Sequence, residues 1–463
     1  MKASTLQDSE TFDIHREEKS MEDLLKDYLD KYKYDIIDDI KELVAIPSES
    51  DDLEKVREAL RFALDLAKKY GFNTFATPDD SVGVIEMGEG PETLGILTHV
   101  DVVPAGDPSY WDTDPYDAEV IEGRLYGRGT LDDKGMLISS LYAMRAVKDL
   151  GLPLHKKVQL IIGTQEEVEW TDMDKYVKEY PLPDYGFTPD GVYPICNIEK
   201  GYIDHTMEFD VSGEDPELLF LKELDIGTAT NVVPGRADAV LSDGETVTVH
   251  GKACHSSQPE NGINAMLLMG EELKKRNLAT NKMLELLYAV CDDFADYEGS
   301  GLGLRSETEY YEGEFVHRNV FSPTMLSAKD GKARLTVNVR FPYGESCERI
   351  LKTLDEWAEA HGGKTVASDS QPAVFVSKNR PFLKVLADAY EDISCLNNEF
   401  AIEYGGTYAK AMPNIVSWGP IFPGEEDTTH KANEYIDVDS LMMSTNIFAE
   451  AIKNIVLSEE SFK

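Results

Sequence analysis

The sequence has few basic residues for its size: 45 lysines and arginines stand against 87 aspartates and glutamates in 463 residues, a formal net charge of −42. A surface of this sign repels the phosphates of nucleic acids and the headgroups of anionic lipids. We therefore expect neither nucleic acid nor a membrane surface among the partners. Acidity alone does not indicate a metal site, because most of these carboxylates must simply be solvated.

Long apolar runs and clustered cysteines are also missing. No stretch approaches the ~18 consecutive apolar residues of a membrane-spanning helix, and residues 1–20 lack the apolar region of a secretory signal. The five cysteines are widely spaced without a C-x-x-C pair, which is typical of free thiols in a reducing compartment. These absences predict a soluble, cytoplasmic protein with a polar N-terminal tail over residues 1–20.

The apolar pattern changes along the chain, which is long enough for two or three domains. From 21 to 198, amphipathic helical patterns surround short Val- and Ile-rich runs, as expected of strands buried on both faces. Strand, helix and strand in this order predict an α/β domain with a mainly parallel sheet flanked by helices. Between 199 and 376, polar and apolar residues alternate as in antiparallel strands, and from 377 to 463 the first pattern returns. We therefore interpret 199–376 as an α+β domain inserted in the first.

Polar side chains follow several of the predicted buried strands. His99 comes directly after one strand, the pair Glu166 and Glu167 follows another, and Asp190 lies in a further loop. In open α/β sheets ligands bind outside the carboxyl ends of the strands, so these side chains are expected to meet there. Asp101 can accept the second imidazole N–H of His99 and so determine which ring nitrogen faces a metal ion.

Two further segments add candidate ligands. GRGTLDDKG places Asp132 and Asp133 where a helix begins, although capping of that helix would explain an isolated acidic pair equally well. EEDTTHKANE adds His430. Neighbouring glutamates raise each other's pKa, and a metal ion resolves that conflict by binding one carboxylate and leaving the other to act as a base. A ligand set of imidazoles and carboxylates suits Zn²⁺, Mn²⁺ or Co²⁺.

The motifs of this sequence resemble, in order, those of the M20 metallopeptidases: HVDVVP, GRGTLDDKG, TQEE, TPDG and TTHKANE. The resemblance covers about residues 21–463 and is greatest to the bacterial dipeptidases of the PepV type. It implies a hydrolase of amide bonds with two metal ions and with Glu166 as general base. It also implies five ligands: Asp132 bridging the ions, His99 and Asp190 completing one site, and Glu167 and His430 completing the other.

The resemblance further implies substrate contacts. His255, in GKACHSSQPENG, would help to hold the oxyanion from the inserted lid domain. Asn231 and Arg340 would bind polar substrate ends, and the guanidinium fork of arginine pairs with both oxygens of a free carboxylate. The alternative interpretation of Arg340 is a surface arginine on a strand. The loop of Gly405, Gly406 and Thr407 would let the backbone approach the substrate, and composition alone would explain it equally well as a tight turn.

These observations favour a dipeptidase that acts on dipeptides with a free N-terminus. Family members with Asp at the position of Asp190 tend to be dipeptidases or aminopeptidases, and those with Glu tend to be deacylases or carboxypeptidases. An N-acyl-amino-acid deacylase on the same scaffold is the alternative, and a noncatalytic metal-binding homologue is a more remote one. The expected cofactors are two divalent ions, Zn²⁺ before Mn²⁺ or Co²⁺. The long lid segment at about 277–333 predicts a monomer.

Overall fold

The structure is a computed structural model that describes residues 20–212 and 218–463. The predicted tail over 1–20 therefore lies outside the described residues, except for Ser20. Ser20 begins the first helix with a capping box, because its hydroxyl accepts the N–H of Asp23 and the Asp23 carboxylate accepts the N–H of Ser20.

The described residues form nine α-helices, several of which bury one apolar stripe. Their bounds are α1 Met21–Val44, α2 Leu53–Lys69, α3 Lys134–Asp149, α4 Thr171–Glu179, α5 Ala265–Lys274, α6 Lys282–Asp293, α7 Cys347–Ala360, α8 Pro381–Ser394 and α9 Val438–Val456. In α2, for example, Val56, Leu60, Ala63 and Ala67 recur at three- and four-residue spacing and are buried. The helical patterns noted in the sequence within 21–198 and 377–463 correspond to α1, α2 and α3 and to α8 and α9 of the structure.

A mixed nine-stranded sheet, called here the catalytic sheet, forms the centre of the larger part of the molecule. Its strands run in the spatial order Asn73–Ala76, Gly83–Met87, Lys157–Gly163, Thr93–His99, Tyr185–Thr188, Ile415–Ser417, Cys196–Glu199 and Val374–Phe375, and Ala401–Glu403 also pairs with Cys196–Glu199. The four strands from Lys157–Gly163 to Ile415–Ser417 in this order are parallel. Their carboxyl ends consequently lie along one edge of the sheet.

Both faces of the parallel strands are buried. Leu94 and Ile96 belong to a core that also includes residues of α1, α3 and α9. Leu97 points to the opposite face and joins a smaller core with Met173 of α4 and Tyr408. Burial on both faces explains why these strands read as continuous apolar runs in the sequence.

An antiparallel seven-stranded sheet, called here the lid sheet, forms a second layer with its own core. Its spatial order is Thr246–His250, Arg236–Leu241, Leu221–Ile226, Val320–Lys329, Lys332–Phe341, Gly201–Asp210 and Gly363–Gln371. Residues of α5, α6 and α7 share its hydrophobic core. Nine shorter strands of the described structure form four small sheets beside these two: Val232–Val233 with Cys254–His255, Tyr310–Tyr311 with Glu314–Phe315, Pro420–Ile421 with Gly191–Val192, and Tyr435–Asp437 with Arg124–Tyr126 and Glu119–Ile121.

The two cores draw on different stretches of the chain. The core of the catalytic sheet includes residues up to Ile195 and resumes at Val376, whereas the lid core runs from Ile203 to Ala358. The fold class is thus α/β with an inserted α+β lid, as the sequence predicted. The exact domain limits of 21–198, 199–376 and 377–463 stay predictions. In the described parts of the chain, no helix has the length and apolarity to span a membrane.

Candidate active site

Three parallel strands deliver acidic and imidazole side chains to the same edge of the catalytic sheet. His99 is the last residue of Thr93–His99, Glu166 and Glu167 follow Lys157–Gly163 after two residues, and Asp190 follows Tyr185–Thr188. Asp132 precedes α3, and His430 lies in the loop before Tyr435–Asp437. The structure brings all six of these side chains into one cluster.

Asp132 lies at the centre of the cluster, between the two histidines. Its Oδ1 is 3.0 Å from Nε2 of His99, and its Oδ2 is 3.1 Å from Nε2 of His430. Asp190 Oδ2 lies 3.8 Å from the His99 nitrogen, and Glu167 Oε2 lies 3.0 Å from the His430 nitrogen. The cluster therefore divides into two imidazole–carboxylate groups that share the Asp132 carboxylate.

The charges of the cluster favour a bound cation. Burial and the negative charge of Asp190 raise the pKa of Glu166 well above its ordinary value, and burial and the charge of Asp132 do the same for Asp190. Hydrogen bonds to Asp132 and Glu167 raise the pKa of His430 to about 11. Two groups, His99 with Asp132 and Glu167 and His99 with Glu166 and Asp190, have ligand atoms close enough to hold a metal ion. The donor set of imidazoles and carboxylates fits divalent cations.

The second nitrogen of His99 has two neighbouring acceptors, both from Asp101. Nδ1 lies 2.9 Å from the backbone carbonyl oxygen of Asp101 and 3.4 Å from its carboxylate. The carbonyl is the nearer acceptor, so an N–H on Nδ1 leaves Nε2 free to face a metal ion. The sequence had indicated an acceptor at Asp101 without distinguishing the two groups.

Buried carboxylates also hold the backbone of the loops that carry the cluster. Asp101 accepts the N–H groups of Glu166 at 3.1 Å and Glu167 at 3.2 Å. Asp133 accepts the N–H of His99 at 3.1 Å. Each of these carboxylates thus orients a neighbouring cluster residue through its main chain, a role that the sequence did not reveal for Asp133.

Two more buried acids act on the same loops. Asp172 of α4 accepts the N–H groups of Thr164 and Gln165 at 2.7 and 3.1 Å, together with the hydroxyl of Tyr408 at 2.6 Å. The Tyr408 ring in turn meets the His99 ring edge-on at 6.2 Å. Gly163 ends the strand beside this tyrosine, where a Cβ would overlap the Tyr408 hydroxyl.

Glu434 is the fourth such acid and lies four residues after His430. Its Oε1 accepts the N–H groups of Gly129, Leu131 and Asp132, and its Oε2 accepts Nη1 of Arg128. Sequence reasoning missed Asp172, Tyr408 and Glu434 as site residues. The only signal available was that Glu434 belongs to the TTHKANE motif.

A cavity of about 180 Å³ opens directly on the cluster. Glu166 lines it, and Oε1 of Glu166 is a buried atom without a hydrogen-bond partner in the described structure. The predicted substrate loop also lines it, with Gly405, Gly406 and Thr407. A carboxylate without a partner beside an open cavity can accept a proton from a molecule in that cavity.

The predicted lid residues lie outside this cavity lining. Arg340 is buried, and its Nη1 donates to the carbonyl of Tyr404 at 3.0 Å, directly before the glycine loop. His255 is exposed, with Nδ1 at 2.6 Å from Oγ of Ser257. Asn231 is exposed as well. Of these three residues, Arg340 is the one that contacts the chain directly before the substrate loop in the described structure.

Two carboxylate–imidazole groups with a shared aspartate, beside an unpartnered glutamate at the edge of a parallel sheet, are typical of metal-dependent hydrolases. Sequence comparison gives the family within that class. The chain belongs to peptidase family M20/M25/M40, whose profile matches residues 95–454. The expectation of an M20-type metallopeptidase from the sequence motifs is thereby confirmed.

Individual relatives cover nearly the whole chain. "Putative dipeptidase YtjP" of Bacillus subtilis strain 168 is 34% identical over 460 residues, which is 91% of this chain and 97% of that protein. The aminoacylhistidine dipeptidase of Vibrio alginolyticus has a similar structure, with a TM-score of 0.63, 16% identity and coverage of 92% and 96%. Human carnosine dipeptidase 1 gives a TM-score of 0.62, 16% identity and coverage of 94% and 99%. At these identities the two structures establish similarity of fold.

Proposed function

We propose that this protein is a two-metal dipeptidase that hydrolyses the peptide bond of dipeptides with a free amino end. One observation carries the proposal: the two oxygens of Asp132 face different imidazoles, at 3.0 Å for His99 and 3.1 Å for His430. A carboxylate in this position can bridge two cations. Relatives that are named as dipeptidases, such as the Bacillus subtilis protein, support the choice of substrate.

His99, Asp132 and Asp190 would hold one ion, and Asp132, Glu167 and His430 the other. When bound, two divalent cations would polarise the scissile carbonyl and lower the pKa of a water molecule beside it. Zn²⁺ is the ion that we propose, with Mn²⁺ and Co²⁺ as alternatives, because all three accept imidazole and carboxylate ligands.

Glu166 is the general base in this proposal. Glu166 lines the cavity, its Oε1 has no hydrogen-bond partner in the described structure, and the carboxylate would take a proton from the attacking water. The same carboxyl group would then donate that proton to the leaving amine. Asp101 keeps Glu166 in position through the backbone N–H.

The substrate contacts come from both parts of the molecule. Gly405, Gly406 and Thr407 would face the peptide backbone in the cavity, which at about 180 Å³ suits a short peptide. Arg340 would bind the terminal carboxylate. His255 and Asn231 are exposed on the lid, so we propose that they reach the substrate when the lid closes about hinges near Glu199 and Val376.

We also propose that the protein is a cytoplasmic monomer. The lid segment 277–333 folds back onto its own chain, where the Glu314 carboxylate accepts Nδ2 of Asn197 and the N–H of Lys378, both at 2.9 Å. The five cysteines are unpaired, as is usual in a reducing compartment. Light scattering at working concentration tests the monomer, and a dimeric mass would contradict it.

The decisive experiment is amino-acid release from panels of dipeptides, tripeptides and N-acetyl-amino acids. The protein is first stripped of metal and then resupplied separately with Zn²⁺, Mn²⁺ or Co²⁺. We expect metal-dependent cleavage of the dipeptides alone. Cleavage of only the acylated substrates would replace the dipeptidase with a deacylase, and no turnover with any ion would contradict catalysis by this site.

A further inference from the structure

Glu434 connects two segments that supply ligands to the cluster. Its Oε1 accepts three backbone N–H groups of one loop, those of Gly129 at 3.0 Å, Leu131 at 2.9 Å and Asp132 at 3.2 Å. The side chain is completely buried, so these hydrogen bonds do not compete with solvent. Three donors that converge on one charged oxygen restrict the conformation of the loop that ends at Asp132.

The opposite oxygen and the main chain of Glu434 complete this connection. Oε2 accepts Nη1 of Arg128 at 2.5 Å, and the backbone carbonyl of Glu434 accepts the N–H of Gly127 at 3.0 Å. Arg128 is itself buried, so the ion pair is shielded from water. The loop at 127–132 is therefore hydrogen-bonded both to the side-chain carboxylate and to the backbone carbonyl of Glu434.

The position of Glu434 relative to His430 gives these contacts a consequence for the cluster. His430 lies four residues earlier in the same segment, and its Nε2 faces Oδ2 of Asp132 at 3.1 Å. The segment at 428–434 thus meets the Asp132 loop twice, once through His430 and once through Glu434. A shift of one loop against the other would separate the imidazole from the carboxylate that it shares.

We propose that Glu434 is a positioning residue that sets the distance between Asp132 and His430 and thereby determines the affinity of the cluster for divalent cations. Glu434 touches neither substrate nor any ligand atom of the cluster in this arrangement. It acts through the backbone N–H of Asp132 and through the short segment that leads to His430. The inference rests on the two-metal site proposed above, but it does not depend on the substrate.

Glu434→Gln is the first variant to test, because it keeps the shape of the side chain and removes its charge. Loss of a group that orients metal ligands typically weakens metal binding by about 10- to 100-fold. We expect a loss in this range for Zn²⁺, measured by titration of the metal-stripped protein against a chromophoric chelator. The absorption spectrum of the Co²⁺-loaded variant should also change, since it reports ligand geometry.

Glu92→Gln is the matched control. Glu92 is also a buried carboxylate, and it accepts the N–H of Phe462 at 3.1 Å and the hydroxyl of Tyr185 at 3.0 Å. It lies just before the strand Thr93–His99, at the end opposite to His99. Its replacement should lower thermal stability while leaving Zn²⁺ affinity and the Co²⁺ spectrum at wild-type values.

Each outcome has a defined meaning. Weaker Zn²⁺ binding in Glu434→Gln, with wild-type binding in Glu92→Gln, would support the proposal. Equal Zn²⁺ binding by both variants and wild type would overturn it and leave Glu434 a purely structural residue. If wild type binds no Zn²⁺, Mn²⁺ or Co²⁺, the two-metal site fails and this inference fails with it. If Glu434→Gln does not fold, Glu434→Asp, which keeps the charge but retracts it by one methylene, is judged by the same criteria.

Discussion

The carboxylate of Asp101 accepts the backbone N–H of Glu166 at 3.1 Å, while Oε1 of the Glu166 side chain has no hydrogen-bond partner in the described structure. The main chain of the proposed base is thus held in place and its side chain is left available. The proposed general base is thus fixed through its backbone N–H, which takes no part in the reaction.

Glu166→Gln should remove most of the peptidase activity and keep the metal ions. Without the carboxylate, proton transfer from water and to the leaving amine is lost, and such transfer contributes about 10²- to 10⁴-fold to the rate. Steady-state kinetics with a dipeptide and metal analysis of the purified variant measure the two effects. Glu169→Gln, at an exposed position three residues later, is the control and should keep its full rate. Equal rates for Glu166→Gln and wild type would refute the proposed base.

Arg340→Lys should weaken recognition of the terminal carboxylate, because a lysine cannot reproduce the paired hydrogen bonds of a guanidinium. We expect KM for dipeptides to rise by about 10-fold, equivalent to 1.4 kcal/mol, with a smaller change in kcat. The matched control is Arg334→Lys on the same strand, where the exposed arginine pairs with Glu208 at 3.3 Å. A dipeptide amide supplies a second control, since it lacks the carboxylate. The same rise in KM for the amide would assign Arg340 a different role.

The metal-free protein should lose stability as pH rises above about 4, the ordinary pKa of a carboxyl group. The pKa values of Glu166 and Asp190 are raised in the folded protein, chiefly by burial. Their contribution to stability is therefore complete below the unfolded pKa and is lost as pH rises through the folded one.

Thermal unfolding across this range, with and without Zn²⁺, measures that effect. Bound cations favour the ionised carboxylates, so the decrease with pH should become smaller or reverse in the loaded protein. An unfolding temperature of the chelated protein that increases over this interval would contradict the electrostatic account of the cluster.

Tyr408→Phe should destabilise the protein by about 1.5–3 kcal/mol, the usual contribution of a buried hydrogen bond to a charged group. Its hydroxyl donates to Asp172 at 2.6 Å, and both residues are buried. Tyr28→Phe makes the same chemical change at the surface, where the hydroxyl donates to Asp149 at 2.5 Å. Solvent can replace that partner, so the loss should be smaller. Chemical denaturation of the two variants provides the comparison, and equal losses would indicate that burial does not strengthen the Tyr408 contact.

The sequence indicated which side chains would lie close together, and the structure places them in one cluster, while their roles as ligands and base stay predictions. His99 and Glu166 lie at or shortly after the ends of apolar runs that are typical of buried strands, and parallel strands bring their carboxyl ends together. The order of the motifs along the chain, together with the family resemblance, then indicated Asp132 and His430 as further members of the cluster. Side chains at the ends of buried parallel strands can for this reason be predicted from a single sequence.

The residues that support the cluster could not be predicted in the same way. Asp172 and Glu434 act on backbone N–H groups, and every residue except proline has such a group. Which of the 87 acidic side chains reaches which loop is decided by tertiary packing. The antiparallel outer strands of the catalytic sheet were missed for a related reason, since a short strand such as Asn73–Ala76 carries too little apolar pattern.

The pairing of Glu434 with Arg128 spans 306 positions of the chain. While the protein is being synthesised, the loop that carries Asp132 leaves the ribosome long before its partner segment exists. Until residues 428–434 emerge, the nascent chain has His99 and Asp190 but lacks His430, the second imidazole of the cluster. The chain can therefore complete the proposed two-ion cluster only in one late step. Binding of both ions would then indicate that residues 428–434 have packed against the Asp132 loop.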